Sequence, residues 1–204
     1  MIEAPPTMSI RGVHVWQEWL SKEKQTKILD DIRTVVAKAP FFVPITPSGK
    51  KMSVRMTSAG RMGWVTDSSG YRYEPKHPSG VPWPEIPELV LKVWESLSGS
   101  SRIPDCCLVN FYQTDARMGL HQDRDEADFS HPVLSISLGD EALFRIGNLE
   151  KRGTTKSVWL RSGDVVRMGE AARLIHHGVD RIKGASSTLL KHGGRINLTL
   201  RVVN

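Results

Sequence analysis

The sequence predicts an α+β domain, with short strands forming a sandwich or jelly roll and two helices packed outside it. Three observations predict this. Two segments in the first half carry apolar residues at helical spacing; the second half reads as short strands broken by turn signals; and 204 residues, 39% hydrophobic and 25% charged, suffice for one domain with a full core.

In chain order, residues 1–40 read as an N-terminal extension with one helix beginning after Ser21. Ile28, Leu29, Ile32, Val35, Val36 and Ala39 follow its period, and Pro40 stops it. Residues 41–84 hold many Gly, Pro, Ser and Thr residues with strand-like pieces at 52–57 and 71–73, so hairpins and loops are expected. A second helix is expected over 87–98, with Leu89, Val90, Val93, Trp94 and Leu97 on one face and Gly99 closing it. The core, 105–203, is expected to hold strands at 106–112, 120–122, 133–138, 143–146, 157–160, 164–168, 174–178, 187–190 and 195–203.

Composition excludes overall disorder. Residues 1–10 lack a basic start and an apolar stretch, and no apolar run approaches the roughly 20 residues of a membrane span, so a cytoplasmic protein with no membrane partner is expected. The two cysteines, Cys106 and Cys107, are adjacent, which offers neither a disulfide framework nor a structural zinc site. Charge is uneven beneath a net +6: residues 84–144 are acidic, whereas 46–83 and 145–204 are basic. A basic segment calls for an anionic partner, and an acidic centre needs a different explanation.

Strict alternation in Arg195-Ile196-Asn197-Leu198-Thr199-Leu200-Arg201 puts four polar residues on one face and three aliphatic residues on the other. This fits an edge strand wetted on its polar side. It equally fits a strand whose polar face lines the lumen, in which case two interior arginines need anions, and a bound dicarboxylate would supply them. Leu108, Asn110 and Tyr112 share one face of the 106–112 strand and could complete such a pocket.

His121 and Asp123 stand at i and i+2, and a further imidazole follows in His176-His177-Gly178 before Arg195. His-x-Asp followed by a distant His is the chain order of the facial triad that leaves three iron positions open. Zinc hydrolysis also tolerates three ligands, but leaves the arginines unexplained. Only one of His176 and His177 can point at a metal from an extended strand, and Gly178 favours His177.

These motifs closely resemble those of the AlkB-type Fe(II)/2-oxoglutarate-dependent dioxygenases. The resemblance rests on Cys107 to Tyr112, His121-Gln122-Asp123-Arg124-Asp125-Glu126, Ser135 to Gly139, Gly163-Asp164-Val165-Val166 and Arg195 to Arg201, and it extends upstream to Gly63-Trp64 and Gly70-Tyr71-Arg72-Tyr73. It implies a double-stranded β-helix (jelly roll) with a nucleotide-recognition lid at about 41–84, and iron held by His121, Asp123 and His177. It also implies 2-oxoglutarate bound among Leu108, Asn110, Tyr112, Arg195, Asn197, Thr199 and Arg201, with Arg201 at the distal carboxylate and Arg195 nearer the metal. Substrate contacts are implied for Trp64, Tyr71, Arg72, Tyr73, Asp125 and Lys151. Met118, His176 and one extra residue between Glu170 and Arg173 depart from the family pattern.

The implied activity is Fe(II)-, 2-oxoglutarate- and O₂-dependent demethylation of N-alkylated bases such as 1-methyladenine and 3-methylcytosine. Formaldehyde, succinate and CO₂ would be released, and the substrate would be single- or double-stranded DNA, or RNA, bound by a monomer. The alternative is a hydroxylase of a protein side chain or small metabolite, which would keep the triad and the arginines but not need Lys50, Lys51, Arg55, Arg61, Arg72 and Lys76 interleaved with lid aromatics.

Overall fold

The computed structural model describes residues 4–204, so Met1 to Glu3, part of the leader argument, lie outside the described residues. Thirteen strands and two α-helices are described: β1 (Met8–Ile10), β2 (Val13–Trp16), α1 (Lys22–Lys38), β3 (Arg55–Gly60), β4 (Gly63–Asp67), β5 (Gly70–Glu74), α2 (Glu88–Leu97), β6 (Cys106–Tyr112), β7 (Met118–His121), β8 (Val133–Gly139), β9 (Glu141–Ile146), β10 (Lys156–Leu160), β11 (Val165–Met168), β12 (His177–Lys183) and β13 (Arg195–Arg201). They form a seven-stranded sheet ordered β1-β2-β11-β8-β13-β6-β3, a four-stranded sheet ordered β10-β9-β12-β7, and the separate hairpin β4-β5. Every pairing is antiparallel. Among the described residues, no helix is long and apolar enough to cross a membrane.

The period of two in each central strand divides the core. Cys107 and Val109 of β6 and Ile196, Leu198 and Leu200 of β13 pack outward with Ile28, Leu29 and Ile32 of α1 and Val90, Val93 and Trp94 of α2. Cys106 and Leu108 point the other way, into a second cluster with Phe144 and Ile146 of β9 and Val179 and Ile182 of β12. The adjacent cysteines therefore serve two different cores, which is why no disulfide joins them. The Ser21 side chain caps α1 by accepting from the Lys24 amide at 3.3 Å.

Several boundaries differ from the sequence expectation. The strand expected at 174–178 begins only at His177 and runs to Lys183, because a 3-10 turn over Glu170–Ala172 carries the chain into the sheet. The strand expected at 187–190 is absent: the Ser186, Ser187 and Gly194 amides instead turn around the buried Asp140 carboxylate at 3.0, 3.1 and 2.8 Å. The strand expected at 52–57 starts at Arg55 and joins the larger sheet beside β6. The N-terminal residues are more than an extension, since β2 pairs with β11 and lengthens the larger sheet.

Candidate metal and dicarboxylate site

His121 is the last residue of β7, His177 the first of β12, and the two are paired in register, which brings their rings to 4.5 Å between centroids. Glycine at 178 permits this. A Cβ there would lie 2.6 Å from the Met118 carbonyl oxygen, so a larger residue would force the two strands apart. Asp123 follows in the loop after β7, and one ligand atom from each of the three residues lies within 4.8 Å of the others.

Each ring is oriented by a backbone carbonyl: His121 Nδ1 lies 2.9 Å from the Gly119 oxygen and His177 Nδ1 lies 3.0 Å from the Ile175 oxygen. The proton therefore belongs on Nδ1, leaving each Nε2 lone pair facing Asp123 at 3.7 Å. Burial holds His177 down to about 4, so it is a neutral donor at neutral pH. Burial alone would raise the Asp123 carboxyl, but the Arg201 guanidinium at 2.9 Å outweighs it and keeps the acid ionised, well below the usual carboxylate range. Asp123 Oδ2 is buried without a hydrogen-bond partner. Two imidazoles with Nε2 turned toward one carboxylate, itself carrying an unpartnered buried oxygen among the described residues, fit a divalent iron with positions left open.

The triad opens into a cavity of about 570 Å³ between the two sheets. Its wall includes the inward face of β13, so the lumen alternative for that strand is the one observed. Leu108, Asn110, Tyr112, Arg195, Asn197, Thr199 and Arg201 all line it. The order of the two arginines is the reverse of the sequence expectation. Arg201 contacts Asp123 of the candidate triad, whereas Arg195 lies six residues away along β13, about 20 Å of extended backbone. Register with β6 fixes this, since Arg201 lies opposite Cys106 and Arg195 opposite Tyr112.

Arg195 is 1% exposed and donates to Ser137 Oγ at 2.6 Å and to the Asp140 and Leu160 carbonyls at 3.3 Å, while its Nε has no partner. Burial holds this guanidinium down to about 10, and raises the neighbouring Tyr112 phenol to about 12. The Asn110 Oδ1 is also buried and unpartnered. A buried cation lacking a carboxylate, beside a protonated phenol, is suited to one end of a dianion.

A family model described as the 2OG-Fe(II) oxygenase superfamily matches residues 12–201. The chain belongs to that superfamily. It is 50% identical over 199 residues to the alpha-ketoglutarate-dependent dioxygenase AlkB homolog of Caulobacter vibrioides, covering 97% of this chain and 90% of that one. It is 38% identical over 180 residues to the alpha-ketoglutarate-dependent dioxygenase AlkB of Escherichia coli, covering 86% and 83%. The structure titled OsALKBH1 matches with TM-score 0.81 at 31% identity, covering 97% of this chain and all of that chain. As a 2OG-Fe(II) oxygenase the protein uses Fe(II), 2-oxoglutarate and O₂.

Trp64, Tyr71, Tyr73, Asp125 and Lys151 also line this oxygenase's cavity, with the Tyr73 hydroxyl reaching inward to Glu126. Trp64 and Tyr71 stack at 5.6 Å and 19° on the hairpin β4-β5, and the Trp64 indole donates to Asp125 Oδ2 at 2.8 Å. Arg72 does not line the cavity. It turns back to Asp67 and Glu74 at 2.8 and 2.6 Å, because alternation along β5 sends it to the face opposite Tyr71 and Tyr73. Arg61 is likewise paired with Asp105, and Arg55 lies over the Phe111 ring at 4.7 Å.

Sequence reasoning passed over Glu126 and Arg173. Glu126 is buried, pairs with Arg173 at 2.8 Å and Arg201 at 3.4 Å, and accepts from the Tyr73 hydroxyl at 2.5 Å. Arg173 also donates to the Asp123 carbonyl at 2.6 Å, which fixes the ligand loop. Among a run of acids, only the register that places Glu126 inward distinguishes it from its exposed neighbours, and a loop residue has no periodicity to reveal that.

Proposed function

We propose that this 2OG-Fe(II) oxygenase demethylates N-alkylated bases, of the 1-methyladenine and 3-methylcytosine type, in nucleic acid, DNA or alternatively RNA. The observation that carries this reading is the roof of the cavity: stacked aromatics on a hairpin, hydrogen-bonded to a carboxylate two residues beyond the metal-ligating aspartate.

His121, Asp123 and His177 would hold Fe(II), and Asn110, Tyr112, Arg195, Asn197 and Arg201 would hold 2-oxoglutarate, with Leu108 and Thr199 packing alongside. Arg195 and Tyr112 would take its distal carboxylate and Arg201 the end nearer the metal. Iron, 2-oxoglutarate and O₂ together supply the oxidant that an unreactive methyl group on a ring nitrogen requires.

The remaining residues bind and select. A base inside a duplex is out of reach of a cavity this deep, so the nucleotide enters unstacked, and Trp64 and Tyr71 offer π surfaces to receive it. Asp125 is exposed, accepts hydrogen bonds, and favours a ring made cationic by methylation over its neutral parent. Lys151, which lines the cavity, would meet the backbone phosphate or sugar edge. We take the enzyme to act as a cytoplasmic monomer, which light scattering after size-exclusion chromatography tests.

The deciding experiment is mass spectrometry of a panel of methylated oligonucleotides after incubation with enzyme, Fe(II) and 2-oxoglutarate. Repaired base together with formaldehyde is expected, and Asp123→Ala should abolish both. Succinate formed without any change in the bases would point instead to a protein or metabolite hydroxylase.

A further inference from the structure

The turn between β1 and β2 consists of Arg11 and Gly12, with φ of +54° and +81°. Two left-handed residues in a two-residue hairpin define a type I′ turn, whose first position favours Asn, Asp or Gly. Arginine is a poor choice for that backbone, and a strained residue that persists invites the question of what its side chain does.

The Arg11 guanidinium reaches across more than 130 residues of sequence to the loop between β9 and β10. Its Nη1 donates to the Gly147 carbonyl at 2.6 Å and the Thr154 carbonyl at 2.9 Å, with Ile146 O at 3.4 Å, and Nη2 approaches Thr154 Oγ1 at 3.5 Å. One planar group thus ties together the two ends of the 147–155 loop, whose apex carries Lys151. From the other side the same loop is held by the site. The His176 amide and Nδ1 both lie 3.0 Å from the Asn148 carbonyl, and Gln122, between the two metal ligands of its segment, donates to the Leu149 carbonyl at 3.2 Å.

We propose that Arg11 is a positioning residue for substrate: it closes the base of the 147–155 loop and so sets where Lys151 stands over the cavity, although Arg11 itself lies outside the cavity lining. This rests on the nucleic-acid reading of the site above. Both carbonyls are met by the same Nη1, so a lysine at 11, shorter and with one nitrogen, would keep part of this tie and lose the Nη2 contact to Thr154 Oγ1.

The informative variant is Arg11→Asn, because asparagine suits the I′ turn and the hairpin should fold at least as well. Its melting temperature is expected to be unchanged or higher. Hydrogen exchange of the 147–155 amides should accelerate, and KM for a methylated oligonucleotide should rise about tenfold, the loss of one charged contact. Oligonucleotide-independent 2-oxoglutarate turnover should stay within about twofold, set against a factor of ten for each 1.4 kcal/mol. Arg11→Lys should fall between. In the double variant Arg11→Asn/Lys151→Ala, the KM effect should not exceed that of Lys151→Ala alone, since the contact being positioned is already gone.

Unchanged loop exchange in Arg11→Asn, or KM effects that add in the double variant, would overturn the proposal. If the wild-type enzyme repaired no oligonucleotide, the substrate reading would fail on its own, and the exchange measurement would still decide whether Arg11 holds the loop.

Discussion

The Trp64 indole nitrogen lies 2.8 Å from Asp125 Oδ2, so the hairpin β4-β5 is hydrogen-bonded to the loop that carries Asp123 and Asp125. A base can take Asp125 Oδ1 while the indole keeps Oδ2 in place, so the contact holds Trp64 beside it as a stacking surface.

Replacing Trp64 with Ala should therefore raise KM for a methylated oligonucleotide by about 10- to 100-fold, the equivalent of about 1 to 3 kcal/mol of base stacking. Oligonucleotide-independent 2-oxoglutarate turnover should change little. Trp64→Phe, which stacks but cannot donate to Asp125, should keep most of the affinity. Steady-state kinetics of the two variants checks this, and equal loss of both activities in Trp64→Ala would mark a structural role.

Arg195 is buried with no carboxylate partner among the described residues, so a dicarboxylate should stabilise the protein even without metal. At about 100 times its Kd, 2-oxoglutarate should add about 2.7 kcal/mol, or about 5 to 10 °C in Tm for a chain of this size. Pyruvate at the same concentration should add much less, and Arg195→Ala should remove the ligand-dependent shift. Scanning fluorimetry with and without ligand reads this directly.

Salt dependence of oligonucleotide binding should separate the basic residues of the lid. Lys50 and Lys51 are exposed, and replacing both with Ala should flatten the log Kd against log salt slope by about 1.4 on a single strand, about 0.7 for each phosphate contact. Arg72→Ala should leave the slope unchanged, because Asp67 and Glu74 already neutralise its guanidinium. Fluorescence anisotropy over a salt series gives both slopes.

Burial pushes the Cys106 thiol up to about 12 from an ordinary value near 9, and raises Cys107 in the same direction. Neither should react with a disulfide reagent in the native protein at pH 8, and both should react once it unfolds. The sign for stability follows from the unfolded chain. Above about pH 9 the unfolded thiol loses its proton while the folded one keeps it, so stability present below that pH should decline as pH rises toward 12. Denaturant melts of wild type and Cys106→Ala across this range should converge as the pH rises.

Much of the site was legible in the sequence because strand alternation and ligand spacing are local. The polar face of β13 and the inward face of β6 follow from a period of two, and the glycine after His177 singled it out from His176. What was not legible depends on long-range register. Which end of β13 meets the metal is decided by its pairing with β6, and an arginine at either end reads alike in sequence. Arg72 looked like a phosphate contact until β5 placed it beside Asp67. The hairpin of β1 and β2 escaped notice because its strands are only three and four residues long and its turn carries Arg where Asn is expected.

Of the strands described, β13 comes last in the chain yet lies in the middle of the larger sheet, between β8 and β6. Until a ribosome has passed Arg201, β6 and β8 have no common partner, and both arginines of the cavity are missing. The helices made earlier would meanwhile hold an apolar face with nothing to cover it. Folding of this enzyme is therefore committed only once β13 has been made. Nascent chains stalled before β13 should be clients of chaperones or proteases rather than partly active enzymes.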